Sequence, residues 1–340
     1  MRKVFIDPPS KAFYQNRFFT NSKLNRDDCL QPYIRLKETL SKQGVEVNTF
    51  DLWDKESGPI EYYSFGMLEN LEEMSAHPKV TMKAFYVFEP PIVDPFIYKA
   101  LPKLTAMFEE VYVHNTHGDG YSLNAVNQSK LKKLYWPQPF DHVLEPYWSN
   151  TERQNRIVVI NGNHKPLSRE NELYSKRIEA MVALSKHDMV DLYGRGWERW
   201  YSRSSMWMPY WKNRKALMSI YKGSCVSKFE VLSQYDFCLC FENMMMDGYM
   251  TEKLFDCLYA GCIPIYLGNS NITKHVAPEI FVDASCLKNW NDLFDHMMSL
   301  TKFEIVEMRE KGRVWLEGRV MELFFNSLEI SIVCEGEGAK

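Results

Sequence analysis

The chain has 340 residues, enough for two domains of ordinary size, and 45% of them are hydrophobic and 14% aromatic, which supports large cores. A formal net charge of −3 gives no general reason to expect a nucleic-acid partner. No apolar run approaches the length of a membrane span, so the sequence predicts no transmembrane segment.

The N-terminal part of the chain alternates predicted strands and helices. Apolar patterns predict strands over residues 4–6, 45–50, 83–88 and 111–114, and helices over residues 28–42 and 94–108. The stretch 51–78 shows no clear pattern, and its tyrosines suit either a core or a surface. Alternating strands and helices are typical of a parallel sheet with helices on its faces, so we predict an α/β fold.

Glu89 directly follows the strand predicted over residues 83–88 and precedes Pro90 and Pro91. A carboxylate at the carboxyl end of such a strand, before a loop stiffened by proline, is well placed to face a cleft. A solvent-exposed glutamate at a strand end is an equally good interpretation of the position alone.

The chain becomes polar and loses its periodicity over residues 140–156, and we predict a linker over residues 148–156. The predicted domains are residues 1–150 and 151–325, with residues 326–340 as a tail. The second domain repeats the α/β pattern, with predicted strands 157–160, 189–193 and 281–283, predicted helices 170–186 and 289–300, and one long helix over 303–328.

Two clusters in the middle of the chain have competing interpretations. His114, His117 and Asp119 lie in a glycine-rich loop that could suggest a metal, but a polar loop is the better interpretation. The stretch from Trp197 to Trp211 is dense in aromatic rings, which could stack on a sugar or pack into the domain. The eight cysteines show no CxxC pair and no zinc spacing, so we expect reduced structural thiols and no metal.

The stretch from Tyr235 to Gly268 predicts a strand, a loop, a helix and a second strand. Thr251 is the predicted cap of the helix, because its hydroxyl can accept from the first free backbone N–H groups. Gly261 stands where a left-handed residue would end that helix. The loop and the helix start therefore lie at the carboxyl end of a strand, where ligands bind in open α/β sheets.

Four polar residues of this turn form the predicted site: Asn243, Tyr249, Glu252 and Lys253. A helix N-terminus and a lysine suit a phosphate, and Glu252 can accept bonds from a ribose diol. An ordinary solvated Glu–Lys pair is the plainer alternative. Arg169, predicted at the start of another helix, can hold phosphate bidentately; Arg177 is its rival deeper in the same helix.

The motif letters FEN at residues 241–243, YMTEKLF at 249–255 and AGCIPI at 260–265 resemble the signature of the α1,3/1,4-fucosyltransferases, glycosyltransferase family 10. The resemblance is strongest over residues 229–268. It implies a GT-B architecture, in which two Rossmann-like domains face each other across a cleft. It also implies that Glu89 is the general base, that Arg169 contacts the donor diphosphate, and that the last helix crosses back to the first domain.

The implied activity is inverting transfer of L-fucose from GDP-fucose to an N-acetylglucosamine- or lactosamine-type glycan, with an α1,3 linkage expected. Cationic side chains would replace a metal, so no cofactor and no divalent metal are expected. The resemblance implies that the acceptor is N-acetyllactosamine within a lipopolysaccharide or a capsule. Because the chain shows no signal peptide or anchor of the Golgi type, a cytoplasmic enzyme is expected, and peripheral membrane attachment stays open.

Two departures from the family pattern affect the donor loop. Met244 stands where many members have serine, and Asp247 is separated from Tyr249 by Gly248. Two other functions remain compatible with the sequence: a GT-B transferase for a different sugar nucleotide, and a non-catalytic protein that binds sugar nucleotides or glycans.

Overall fold

The computed structural model describes residues 1–55, 58–199 and 207–333, and the chain forms two compact units. The first unit comprises Met1–Pro139 and Glu322–Lys340, and the second comprises Phe140–Met321. The chain therefore leaves the first unit earlier than the predicted boundary at residue 150, and its last helices belong to the first unit. Some residues of the sequence predictions lie outside the described ranges. They are Trp200 and Tyr201 of the aromatic stretch, the cysteine Cys334, and residues 336–340 of the predicted tail.

The first unit is built on a six-stranded parallel sheet with the order β2-β1-β3-β4-β5-β6. Its elements are β1 (Lys3–Asp7), α1 (Gln31–Lys42), β2 (Glu46–Thr49), β3 (Ile60–Ser64), α2 (Leu71–Ala76), β4 (Val80–Tyr86), α3 (Pro95–Met107), β5 (Glu110–Val113) and β6 (Leu131–Lys133). The strands and helices predicted before residue 115 are all present. The unassigned stretch supplies β3 and α2, and its Tyr62 and Tyr63 are fully buried in the core.

The second unit repeats this design, with a six-stranded parallel sheet ordered β12-β11-β10-β7-β8-β9. Its elements are α4 (Glu145–Trp148), β7 (Gln154–Ile160), α5 (Tyr174–Ser185), β8 (Val190–Tyr193), α6 (Met208–Ile220), β9 (Tyr221–Gly223), α7 (Lys228–Leu232), β10 (Tyr235–Phe241), α8 (Glu252–Ala260), β11 (Ile263–Leu267), β12 (Val282–Asp283), α9 (Trp290–Ser299) and α10 (Lys302–Leu316). The predicted strand–loop–helix–strand unit is therefore confirmed, and the α/β fold class with two Rossmann-like units is confirmed with it.

The linker predicted over residues 148–156 is wrong, because this polar segment is bound tightly into the second unit. The guanidinium of Arg153 donates to the backbone carbonyls of Tyr147 at 2.9 Å and of Ala260 at 2.6 Å. It also reaches the carbonyl of Tyr235 at 3.1 Å, at the start of β10. One arginine thus satisfies carbonyls from three segments, and polar composition alone does not distinguish this arrangement from a solvated linker.

The single helix predicted over residues 303–328 is also wrong. The structure divides the region into α10, α11 (Arg319–Phe325) and α12 (Ser327–Ile332), with a break at Gly318. The N–H of Gly318 donates to the carbonyl of Trp315 in a tight turn, and the helix does not continue. Leu328 and Ile332 of α12 are buried in the core of the first unit.

Every helix in the described part of the chain is too short or too polar to span a bilayer.

Candidate active site

The strand order of the second unit reverses at β7, which is hydrogen-bonded to β10 on one side and to β8 on the other. Loops that leave the carboxyl ends of such neighbouring strands diverge and open a crevice, which is the usual ligand site of an open α/β sheet. The loop after β7 and the loop from Glu242 to Thr251 after β10 leave the sheet here. The four predicted residues of the donor turn therefore lie at the switch point of the sheet.

A buried carboxylate organises this turn. Glu242 directly follows β10 and is 0% exposed. Its carboxylate accepts from the Thr251 backbone N–H at 2.8 Å and from the Thr251 hydroxyl at 2.9 Å. It also accepts from the Nζ of Lys253 at 3.0 Å. Glu242 was absent from the predicted site residues. Its position directly after an apolar strand, eleven residues before Lys253, is a sequence pattern that could have indicated it.

The predicted cap of α8 is wrong in its chemistry. Thr251 occupies the cap position with extended backbone, but its side chain accepts no bond from the first turn of the helix. The hydroxyl instead donates to Glu242 and accepts from Lys253 Nζ at 3.0 Å. The free N–H groups of the first turn of α8 are thus left without a side-chain cap from Thr251, which is the arrangement that an anion needs. Gly261 ends the helix with φ 71°, as predicted.

Lys253 is held in place by two hydrogen-bond partners. Its ammonium has three N–H donors, of which one points to Glu242 and one to Thr251. Burial lowers the pKa of Lys253, but the negative charges of Glu242 and Glu252 outweigh burial and raise the pKa above its ordinary value. The lysine therefore stays charged at neutral pH, with one donor left for a ligand.

Glu252 is the first residue of α8, and its carboxylate lies 3.8 Å from Lys253 Nζ. Burial would raise the pKa of Glu252, but the charges of Lys253 and Lys228 lower it below its ordinary value. With 39% of its side chain exposed, Glu252 is an ionised acceptor that a ligand can reach. Such a carboxylate suits a pair of ribose hydroxyls.

A cavity of about 180 Å³, here called the Lys253 cavity, opens at this point. Its walls include Asn161, Gly162, Lys228, Cys240, Glu252, Lys253 and Asp256. Lys228 pairs with Asp256 at 2.6 Å, so both lysines of the cavity face carboxylates. Lys228 was not among the site residues predicted from the sequence.

Arg177 contacts the donor turn, whereas Arg169, the predicted diphosphate contact, lies at a different cavity. Arg177 is 2% exposed and donates from Nη2 to the carbonyls of Phe241 at 2.6 Å and Glu242 at 2.9 Å. Burial lowers the pKa of Arg177, while the neighbouring Glu242 and the tyrosines Tyr174 and Tyr249 raise it. Arg177 and Lys253 both contact Glu242, the arginine through the backbone carbonyl and the lysine through the carboxylate, so the two cations lie close together.

Arg169 is exposed and lines a different cavity, whose walls share no residue with the Lys253 cavity among the described residues. The error has a simple origin: the helix was predicted from residue 170, which put Arg177 two turns inside it. In the structure α5 begins at Tyr174, so Arg177 lies in its first turn. The intervening segment forms a loop that carries Arg169 away.

Asn243 and Tyr249 lie together on the same turn. The side-chain amide of Asn243 donates to the Tyr249 hydroxyl at 3.3 Å, and Tyr249 is buried. Backbone bonds also join this turn to the loop before α5: Leu173 N–H donates to the Asn243 carbonyl at 3.0 Å, and Met245 N–H to the Asn171 carbonyl at 2.8 Å. The structure thus brings Asn243, Tyr249, Glu252 and Lys253 into one turn.

Glu89 lies in the first unit, in an exposed position just after β4. Its backbone is fixed by two neighbours, because Tyr98 hydroxyl donates to the Glu89 carbonyl at 3.1 Å and His114 Nε2 lies 2.7 Å from the Phe88 carbonyl. The side chain therefore projects from a rigid strand end at the carboxyl edge of the sheet. This is the position that the sequence predicted for it.

The alternative features of the sequence have structural roles. His114 is buried, and burial lowers its pKa to about 3, so the ring is neutral at pH 7. Within the described ranges no group of three His, Cys, Asp or Glu side chains is arranged to hold a metal ion. Trp197 and Tyr210 are buried, and Tyr210 hydroxyl donates to the Trp197 carbonyl at 2.5 Å, so these two rings pack into the domain. The described cysteines are free thiols, four of them buried: Cys238, Cys240, Cys257 and Cys262.

Sequence comparisons match part of the chain to known fucosyltransferases. Residues 160–306 match the family model described as glycosyltransferase family 10 (fucosyltransferase), C-terminal part. A stretch of 74 residues is 42% identical to an α-(1,3)-fucosyltransferase of Helicobacter pylori, which covers 22% of this chain and 16% of that relative. The matched stretch thus spans less than a fifth of the relative's length.

Solved structures extend the likeness over the whole chain. A crystal structure of an α1,3-fucosyltransferase has a TM-score of 0.60 at 14% identity and covers 100% of this chain and 91% of that chain. A structure of α1,3-fucosyltransferase with GDP-fucose has a TM-score of 0.54 at 14% identity and covers 100% and 92%. These likenesses show the fold, and the predicted α/β class with two Rossmann-like units is confirmed.

Proposed function

We propose that this chain, whose residues 160–306 match the model of glycosyltransferase family 10, transfers L-fucose from GDP-fucose to a hydroxyl of an N-acetylglucosamine- or lactosamine-type glycan. The observation that carries the proposal is the pair of neighbouring cations, Arg177 and Lys253, at the switch point of the second sheet. One is fixed by backbone carbonyls and the other by Glu242. Such fixed charges are suited to a diphosphate leaving group.

The donor would bind with its diphosphate at the start of α8, where free N–H groups and the remaining donor of Lys253 converge. Glu252 would accept hydrogen bonds from the ribose diol, and the Asn243–Tyr249 pair would border the donor. The positive charges of Lys253, Lys228 and Arg177 are balanced by the carboxylates of Glu242, Glu252 and Asp256. The pocket would therefore select a diphosphate by the directions of its N–H groups rather than by a net positive charge. A preorganised pocket of this kind stabilises charge as it develops on the departing phosphate.

In the proposed reaction Glu89 removes the proton of the acceptor hydroxyl while its oxygen attacks the anomeric carbon of fucose. The bond from that carbon to the diphosphate breaks in the same displacement, so the configuration inverts. An α1,3 linkage is proposed. Arg177, Lys253 and the α8 N-terminus take the role that a divalent metal has in other transferases, and the reaction is proposed to proceed without one.

The test is an assay of the purified chain with GDP-fucose and N-acetyllactosamine in the presence of EDTA, with the product detected by mass and its linkage by NMR. We expect a product heavier by one fucose, and none from UDP-galactose or GDP-mannose. Glu89→Gln should reduce turnover roughly 10²–10⁴-fold and leave GDP binding intact, because general-base catalysis contributes about that much. Full turnover by this variant, or transfer from GDP-mannose alone, would contradict the proposal.

A further inference from the structure

A second cavity of the second unit, about 490 Å³ in volume, has no role in the proposed reaction. It is here called the Trp207 cavity. The loop between β7 and α5 supplies Lys165, Arg169 and Glu172, the helix α5 supplies Glu179, and the start of α6 supplies Trp207 and Lys212. This volume lies within the range of pockets that hold small organic ligands and exceeds what a lone phosphate requires.

Among the described residues, the cations of the Trp207 cavity have no partners, whereas its carboxylates have them. Across the described ranges, no hydrogen bond or ion pair engages Lys165, Arg169 or Lys212. Glu172 accepts from the backbone N–H of Ser175 at 2.9 Å, and Glu179 accepts from Lys176 at 3.0 Å. Three positive charges without a partner in the described part of the chain therefore line this cavity, and its two carboxylates accept from Ser175 and Lys176.

Trp207 adds a surface that suits a sugar ring. The side chain is half-buried and packs against the hydrophobic core of the unit, so the indole is held firmly. Its Nε1 is buried and has no acceptor among the residues that the structure describes. The indole thus offers the cavity an apolar face, the surface on which a tryptophan contacts a sugar ring.

We propose that the Trp207 cavity binds an anionic saccharide, a sugar unit that carries a carboxylate or a phosphate. Arg169, Lys165 and Lys212 contact the anionic group, and Trp207 contacts the ring. This site is separate from the Lys253 cavity, and it requires no transfer chemistry. Its ligand and GDP occupy the protein together.

The test uses α-1,4-digalacturonate as the probe and its dimethyl ester as a matched neutral probe of the same ring structure, with binding measured by calorimetry on the full chain. We expect the acid to bind at least tenfold more tightly than the ester, in the presence and absence of saturating GDP. Equal affinity of acid and ester, undetectable binding of the acid, or competition by GDP would overturn the proposal. Inorganic phosphate that binds as tightly as the acid would overturn the saccharide assignment.

Variants locate the binding. Arg169→Gln and Lys212→Gln should each weaken digalacturonate about tenfold, because each removes one charge-assisted hydrogen bond. Lys288→Gln is the matched control, since it removes the same charge from an exposed position of the second unit that does not line the cavity. Thermal melting verifies that each variant is folded. If Lys288→Gln weakens the acid as much as Arg169→Gln does, the binding is a general surface effect and the proposal is wrong.

Discussion

Lys253 Nζ lies 3.0 Å from a carboxylate oxygen of Glu242, which is fully buried at the end of β10. This pair joins the first residue of the loop after β10 to the first turn of α8. A buried charge that loses its partner is costly, whereas a pair replaced as a whole costs much less.

Glu242→Gln should therefore lower the free energy of unfolding by about 3 kcal/mol, because Lys253 then keeps its charge without a carboxylate. Lys253→Met should partly rescue this loss, with a coupling energy of at least about 1 kcal/mol in the double-mutant cycle. Urea denaturation of the four proteins measures both quantities. Additive losses would show that the two side chains do not depend on each other.

Arg177 and Arg169 provide a matched comparison for the donor site. Arg177→Gln should weaken GDP binding at least tenfold more than Arg169→Gln does, because only Arg177 neighbours Lys253 and holds the carbonyls of the donor turn. Arg177→Lys tests charge against geometry, since a lysine cannot reproduce the planar fork. Calorimetry with GDP gives the affinities. A larger loss in Arg169→Gln would restore the original sequence prediction.

His114 should make the first unit sensitive to acid. The pKa of the His114 ring is about 3 in the folded protein, whereas its ordinary value, which applies to the unfolded chain, is 6.5. Between pH 6.5 and about pH 3, the unfolded chain therefore binds a proton that the folded chain does not bind. Stability must fall as the pH falls through this window, by about 1.4 kcal/mol per pH unit for one proton. Between pH 7.5 and pH 5 this amounts to roughly 2 kcal/mol.

His114→Gln removes the titrating group and should flatten the dependence, although it lowers stability at pH 7.5 through loss of the bond to the Phe88 carbonyl. Urea denaturation at several pH values measures the slopes of both proteins. Equal slopes in the wild type and the variant would mean that His114 is not the acid-sensitive group.

Gly194, after β8, adopts φ +141°, and a Cβ at this residue would lie 1.9 Å from the Asn161 carbonyl oxygen. Gly194→Ala should therefore cost at least about 3 kcal/mol, since backbone must move at the edge of the Lys253 cavity. Gly223 also has a positive φ, +99°, but open space where a Cβ would stand. Gly223→Ala should cost only about 1–2 kcal/mol, the strain of the left-handed backbone. Comparable losses in melting temperature would contradict this distinction.

Sequence periodicity predicted the two sheets well because strands and helices impose their own repeat on the residues that they bury. The positions of functional charges were less predictable. Arg169 and Arg177 both stand near a helix start in the sequence, and a shift of four residues in that start exchanges their roles. Glu242 looked like part of a motif, yet its partner is eleven residues away and meets it only because α8 returns to the end of β10.

Arg153 shows the same limit for domain organisation. Its surroundings are polar, so composition indicates a linker, but the carbonyls that it satisfies come from Tyr147, Tyr235 and Ala260. Contacts of such long range leave no local signal in the sequence. Only the folded chain shows that the segment is fixed.

The backbone bonds between Leu173 and Asn243, and between Met245 and Asn171, join the wall of the Trp207 cavity to the donor turn. Two binding equilibria that share one such wall obey thermodynamic linkage: whatever factor a saccharide imposes on the affinity for GDP, GDP must impose on the affinity for the saccharide. A titration of either ligand at fixed concentrations of the other thus measures the coupling free energy between the two cavities.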